Sequence, residues 1–158
     1  MEEKKKSKIG IIIAGICALV AVIVVVVLLI PKGGASKAED AAKEAMVALA
    51  KDDEALLEDI FHSEIGQNET VKSLYEYYDI QEDSISVSET TKRTVDAQSV
   101  NSNYGTKVSA AKMLEVKFDA TYMGATGEYL AYVCVVKDKG RWYVALIDPP
   151  MPVSLLEN

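Results

Sequence analysis

From Ile9 to Ile30 the chain runs for 22 residues without a charge or a proline. As a helix this run is about 33 Å long, enough to cross a hydrocarbon layer of about 30 Å. Thirteen of the 22 residues are Ile or Val, which in water favours strands. In lipid an isolated strand leaves its backbone polar groups unpaired, whereas a helix satisfies its own. The run therefore predicts a transmembrane helix over 9–30.

The flanks predict its orientation. Lys4, Lys5, Lys6 and Lys8 precede the run, against Lys32 and Lys37 after it. By the positive-inside rule residues 1–8 are cytoplasmic and everything after the span lies outside. A cleaved signal peptide is the rival, with Gly33 and Ala35 offering a small-residue cleavage site, but its apolar region is about 7–15 residues long. Lipid attachment at Cys17 is disfavoured by its position in mid-run after Ile16. Gly10, Ala14 and Ala18 recur every four residues, a stripe of small side chains along which a second helix can approach. Small residues are also common in any span.

Beyond the run stand 13 basic and 22 acidic residues, a formal charge of −9. Nucleic acid and anionic lipid headgroups both repel such a surface, so neither is expected as its partner; the membrane partner is the bilayer crossed by the span. Cys17 falls in the span and Cys134 beyond it, so the external part has no internal disulfide and depends on packing.

Residues 31–37 include Gly33, Gly34 and Ser36 and predict a flexible linker. Ser36 and Glu39 fit a capping box. Ala38, Ala41, Ala42, Ala45, Met46 and Leu49 then follow at helical spacing, an alanine-rich face suited to close approach. Asp53 is placed to cap a second helix buried through Leu56, Leu57, Ile60 and Phe61. A third is predicted over Glu69 to Tyr78, capped by Asn68.

From Ser84 the period changes, with a strand predicted to about Val95. Asp96 to Tyr104 is either a short capped helix stopped by Gly105 or a loop. Leu114, Val116, Phe118, Ala120 and Tyr122 alternate with polar residues, predicting a half-buried antiparallel strand, with a turn over Gly124 to Gly127. Glu128 to Lys137 is apolar on both faces. Asp138-Lys139-Gly140 reverses the chain, and Trp142, Val144 and Leu146 are predicted on one face, with Tyr143, Ala145 and Ile147 on the other. Asp148-Pro149-Pro150 is expected to end the sheet, leaving 149–158 as a tail. A strand apolar on both faces needs two covers; helices supply one, and a curved sheet's interior or a second subunit the other. This motivates a homodimer.

Helices followed by a meander closed by Val135-Val136-Lys137-Asp138-Lys139-Gly140-Arg141-Trp142-Tyr143-Val144 resemble the nuclear transport factor 2-like superfamily, and within it membrane-attached or lipoprotein branches of bacterial proteins. The helix break at Lys51-Asp52-Asp53 is similar too. The resemblance covers roughly residues 38–148 and implies an α+β fold in which helices pack on a strongly curved antiparallel sheet shaped as a cone. It does not fix function, since the superfamily includes enzymes, binders and assembly modules.

Few residues point to chemistry. His62 is the only histidine, too little for a triad or a His-rich metal site, and its expected role is structural. The acidic group Asp52, Asp53, Glu54, Glu58 and Asp59 lacks a calcium-loop pattern and reads as caps and solvated surface. Enzymes of the resembled superfamily use a carboxylate or His inside the cone; here Asp119 alternates away from the apolar face. Of the eight tyrosines, Tyr122, Tyr129, Tyr132 and Tyr143 are candidates to line an aromatic cavity for a small apolar ligand, or to fill it. Cys134 reads as a buried core thiol, Asn68-Glu69-Thr70 as a chance sequon, and Pro149 to Pro152 as a terminator rather than a polyproline ligand. The expectation is a membrane-anchored extracytoplasmic binding module with no catalytic residue, cofactor or metal, acting on a protein or small ligand. The alternatives are an assembly scaffold of a secretion or conjugation-type membrane complex and, third, a small-molecule enzyme.

Overall fold

Alanine spacing, two tight turns and one doubly apolar strand decide most of the architecture. The computed structural model describes residues 33–156. The predicted span and its stripe of Gly10, Ala14 and Ala18 lie outside these residues, and among the described residues no helix is long and apolar enough to cross a membrane. The described part is α+β, with helices packed on a strongly curled antiparallel half-barrel.

Helix α1 (Ala38–Lys51) buries Ala38, Ala41, Ala42, Ala45, Met46 and Ala48 against the inner face of the sheet. The small side chains let the helix lie close to strands that bring larger ones. The expected capping box is not formed: Lys37 is the N-cap, and the Ser36 hydroxyl instead lies 3.5 Å from the Asp40 carboxylate. Ala35 pairs with Trp142 and fixes where the extended chain ends, which leaves Ser36 one position too early to cap. Asp53 does cap α2 (Glu54–Ile60), accepting from the Leu56 N–H at 3.1 Å. Helix α3 (Asn68–Tyr75) starts at Asn68 rather than being capped by it, and stops short of Tyr78.

Tyr78 begins strand β1 (Tyr78–Ile80), which pairs with β3 (Ala110–Tyr122) in the register Tyr78 opposite Tyr122. The two rings stack 4.5 Å apart, a cross-strand contact that outweighs the helical pattern before it. Strand β2 (Ser86–Glu89) is shorter than predicted, because the chain leaves the sheet edge and crosses the outer face. There Asp96 caps helix α4 (Ala97–Tyr104) through the Ser99 N–H at 2.9 Å, and Gly105 ends it at φ +68°, which decides between helix and loop.

Strand β3 alternates as predicted, with Leu114, Val116, Phe118 and Ala120 buried. The turn into β4 (Ala125–Asp138) is tighter than predicted: Met123 and Gly124, at φ +49° and +83°, form a two-residue reversal whose twist suits antiparallel strands. Lys139 and Gly140, at +47° and +84°, repeat it before β5 (Arg141–Ile147). Strand β5 departs from simple alternation. Cys134 pairs with Leu146 but Val135 pairs with Val144, so Ala145 is an extra residue in a bulge. Beyond it the faces exchange: Ile147 packs inward with Trp142 and Val144, and Leu146 outward with Tyr143 and Ala145.

The prolines after Asp148 do not end the sheet. Strand β6 (Met151–Pro152) pairs with Leu130 and Tyr129, on the stretch of β4 that β5 no longer covers. The two faces of β4 receive two covers within the chain. Inside, Ala131, Val133 and Val135 pack with α1, Phe118 and Trp142. Outside, Cys134 and Val136 pack with Ile65, Val100 and Val108, so the apolar face that motivated a second subunit is already buried.

Candidate functional site

The tyrosines separate into two environments. On the inner side Tyr78 stacks on Tyr122 and meets Tyr129 edge-on at 5.3 Å, while Phe118 contacts both Tyr129 and Tyr75 at about 6 Å between ring centres. These rings, with Met46 and Trp142, fill the inside of the curled sheet. Tyr132 lies on the outer side, beneath the Arg93 guanidinium, and Tyr143 packs edge-on against His62 at 5.7 Å. Tyr122 and Tyr129 are thus brought together, and Tyr132 and Tyr143 are not brought to them.

The inner rings open on a groove of about 260 Å³ between the end of α1, α2, α3 and β1, lined by Leu49, Leu57, Lys72, Tyr75, Glu76 and Tyr78. Tyr75 is buried at its floor, and its hydroxyl donates to the Asp148 carbonyl at 2.9 Å. Burial, with lesser contributions from Tyr78 and Asp148, pushes its phenol far above the usual value, so it stays protonated. Lys72 bonds the Glu54 carboxylate and lies 3.8 Å from Asp52, which holds Glu54 below and Lys72 above their ordinary values. The groove therefore has an aromatic floor and a charged rim. Tyr75 and Tyr78 were not among the sequence candidates; the signal for Tyr78 was its two-residue spacing to Ile80.

A second cleft, of about 270 Å³, lies on the outer side between His62, Glu64, Thr106, Lys107, Asp138 and Lys139. His62 and Thr106 are the buried polar side chains among the described residues. His62 Nδ1 accepts the Glu64 N–H at 3.2 Å, and its Nε2 lies 3.7 Å from the Asp138 carboxylate. Among the described residues no group of three or more His, Cys, Asp or Glu is placed to hold a metal ion. Thr106 donates to Asn101, whose side-chain amide also grips both backbone groups of Val108, so this polar network is satisfied and holds the loop.

Asp119 sits opposite Glu128, on the β3 face away from Phe118, and its backbone N–H donates to Ser84 at 2.8 Å. The acidic residues between the first two helices have local tasks: Asp52 terminates α1, Asp53 caps α2 and Glu54 pairs with Lys72. No protein-family model, curated protein or solved structure matches this chain.

Proposed function

We propose that this chain is a single-pass membrane protein, N-terminus in the cytoplasm, whose external domain is a nuclear transport factor 2-like cone that binds a partner rather than catalysing a reaction. The anchor is supported by the uncharged run Ile9–Ile30 and the lysines before it. The observation that carries the binding role is the filled interior. Where enzymes of the resembled superfamily hold an acid or base in a cavity, this domain places Phe118, Tyr129 and Met46 in van der Waals packing, and the Tyr75 hydroxyl is engaged by a backbone carbonyl. Beside that interior the groove is open to solvent, and its aromatic floor and Asp52, Lys72 and Glu76 rim suit a peptide or side chain bearing both apolar and charged groups.

Site-specific photocrosslinking in intact cells tests this. A photoreactive residue at Glu76, beside the groove, is expected to trap a discrete partner that the same residue at exposed Lys107 does not trap. Partners that are themselves membrane proteins would favour the assembly-scaffold form of the reading. Equal trapping from both positions, or recovery of the full-length chain in the soluble fraction, would overturn it.

A further inference from the structure

Gly33, Gly34 and Ala35 lie in the stretch expected to be a flexible linker, yet all three are pinned. Ala35 and Trp142 exchange backbone hydrogen bonds at 2.7 and 2.9 Å, and the Gly34 N–H donates to the Asp59 carbonyl at 2.8 Å. Arg141 donates Nε to the Gly33 carbonyl at 2.6 Å and Nη2 to the Gly34 carbonyl. Both glycines are left-handed, at φ +71° and +67°. A Cβ at Gly34 would stand 2.7 Å from the Tyr143 ring, and one at Gly33 would collide with the Asp59 carbonyl oxygen. The glycines serve close approach, not slack.

By sequence the apolar run ends at Ile30, so only Pro31 and Lys32 separate it from Gly33. Three Cα steps span at most about 11 Å. We propose that the end of the domain bearing Gly33, Asp59 and the Lys139–Gly140 turn rests on the lipid headgroup layer, and that the aromatic groove is presented to the aqueous side. This rests on the membrane-anchored reading above. The chemistry of that end suits headgroups of mixed charge. Lys139 is 79% exposed and Arg141 keeps N–H groups to spare for phosphates, while exposed Glu58 and Asp59 match headgroup amines. The groove lies at the far end of α1, whose 14 residues cover about 21 Å. The Met123–Gly124 turn lies at the other end of the 14-residue strand β4, a contour of about 44 Å.

The test uses the full-length chain in phosphatidylcholine and phosphatidylethanolamine vesicles containing a headgroup-nitroxide lipid. A fluorophore is attached at Lys139→Cys or at Met123→Cys, with the unsubstituted chain as labelling control. After flotation with the vesicles, the label at 139 is expected to be quenched several-fold more than the label at 123. A flexible Gly/Ser segment inserted between Lys32 and Gly33 is expected to bring the quenching at 139 down to that at 123. Flotation with equal quenching at both positions would overturn this proposal and leave the anchor standing, and unchanged quenching after the insertion would overturn the short tether as its cause. Failure to float would overturn both the anchor and the proposal.

Discussion

The guanidinium of Arg93 lies 4.3 Å from the centre of the Tyr132 ring and also bonds the Asp148 carboxylate. It fastens the segment between β2 and α4 across the outer face of the sheet, beside Cys134. Burial, with Asp148 adding to it, pushes the Cys134 thiol up to about 11.

In the intact domain Cys134 is therefore expected to be inert to thiol reagents at pH 8. Arg93→Ala is expected to cost about 1 kcal/mol and to speed Cys134 modification several-fold, measured by urea unfolding and by a chromogenic disulfide. The pH dependence has a definite sign. Because the folded thiol holds its proton to a higher pH than the unfolded one, its contribution is complete below the ordinary thiol value and is lost as pH climbs towards about 11. Cys134→Ala is expected to lose less stability between pH 8 and pH 10 than the parent chain does.

The bulge at Ala145 makes neighbouring residues unequal. Ile147 is fully buried in the inner core, whereas Leu146 is half-buried under the outer cover. Ile147→Ala is expected to cost about 3 kcal/mol by chemical denaturation and Leu146→Ala about 1 kcal/mol. Similar costs at the two positions would mean that the register does not shift at Ala145.

Asp96 holds the start of α4 through the N–H and hydroxyl of Ser99, and these bonds keep its carboxyl below the usual carboxylate value. A depressed folded value stabilises above the unfolded value and loses that contribution as pH falls through the folded one. Asp96→Ala is expected to lower Tm at pH 7 and to converge with the parent chain as the solution is acidified below the ordinary carboxylate range. A Tm difference that persists at low pH would assign the effect to something other than the charged cap.

Much of this fold was legible where one local rule governs it. The alanines of α1 at three- and four-residue spacing, the alternation from Leu114 to Ala120 and the Lys139–Gly140 turn each follow from chain-local geometry. What failed depends on distant partners. Ser36 loses the capping position because Ala35 is committed to Trp142, and Tyr78 leaves its helix because Tyr122 waits opposite. Leu146 and Ile147 trade faces because β4 leaves no place for Ala145. Even β6 forms because β5 stops early on its neighbour. The outer cover was hard to foresee because Val95, Val100 and Val108 follow no single period, and Asn101 fixes the last of them through hydrogen bonds.

The candidate site was legible only in part, for the same reason. Tyr129 and Tyr132 are an odd number of residues apart on one uninterrupted strand, so spacing alone sets them on opposite faces. That Tyr75, from a helix, completes the inner ring cluster is a tertiary fact that no spacing within the strands carries.

Strand β6 covers the part of β4 around Tyr129 and Leu130, and the Asp148 N–H closes the same flank by donating to the Tyr132 carbonyl. Because synthesis runs from the N-terminus towards the C-terminus, this flank of the central strand stays open until residues 148–152 have been made. The backbone groups of Tyr129 and Leu130 are thus among the last in the sheet to find partners, and a ribosome stalled before residue 151 would hold a domain with that edge bare.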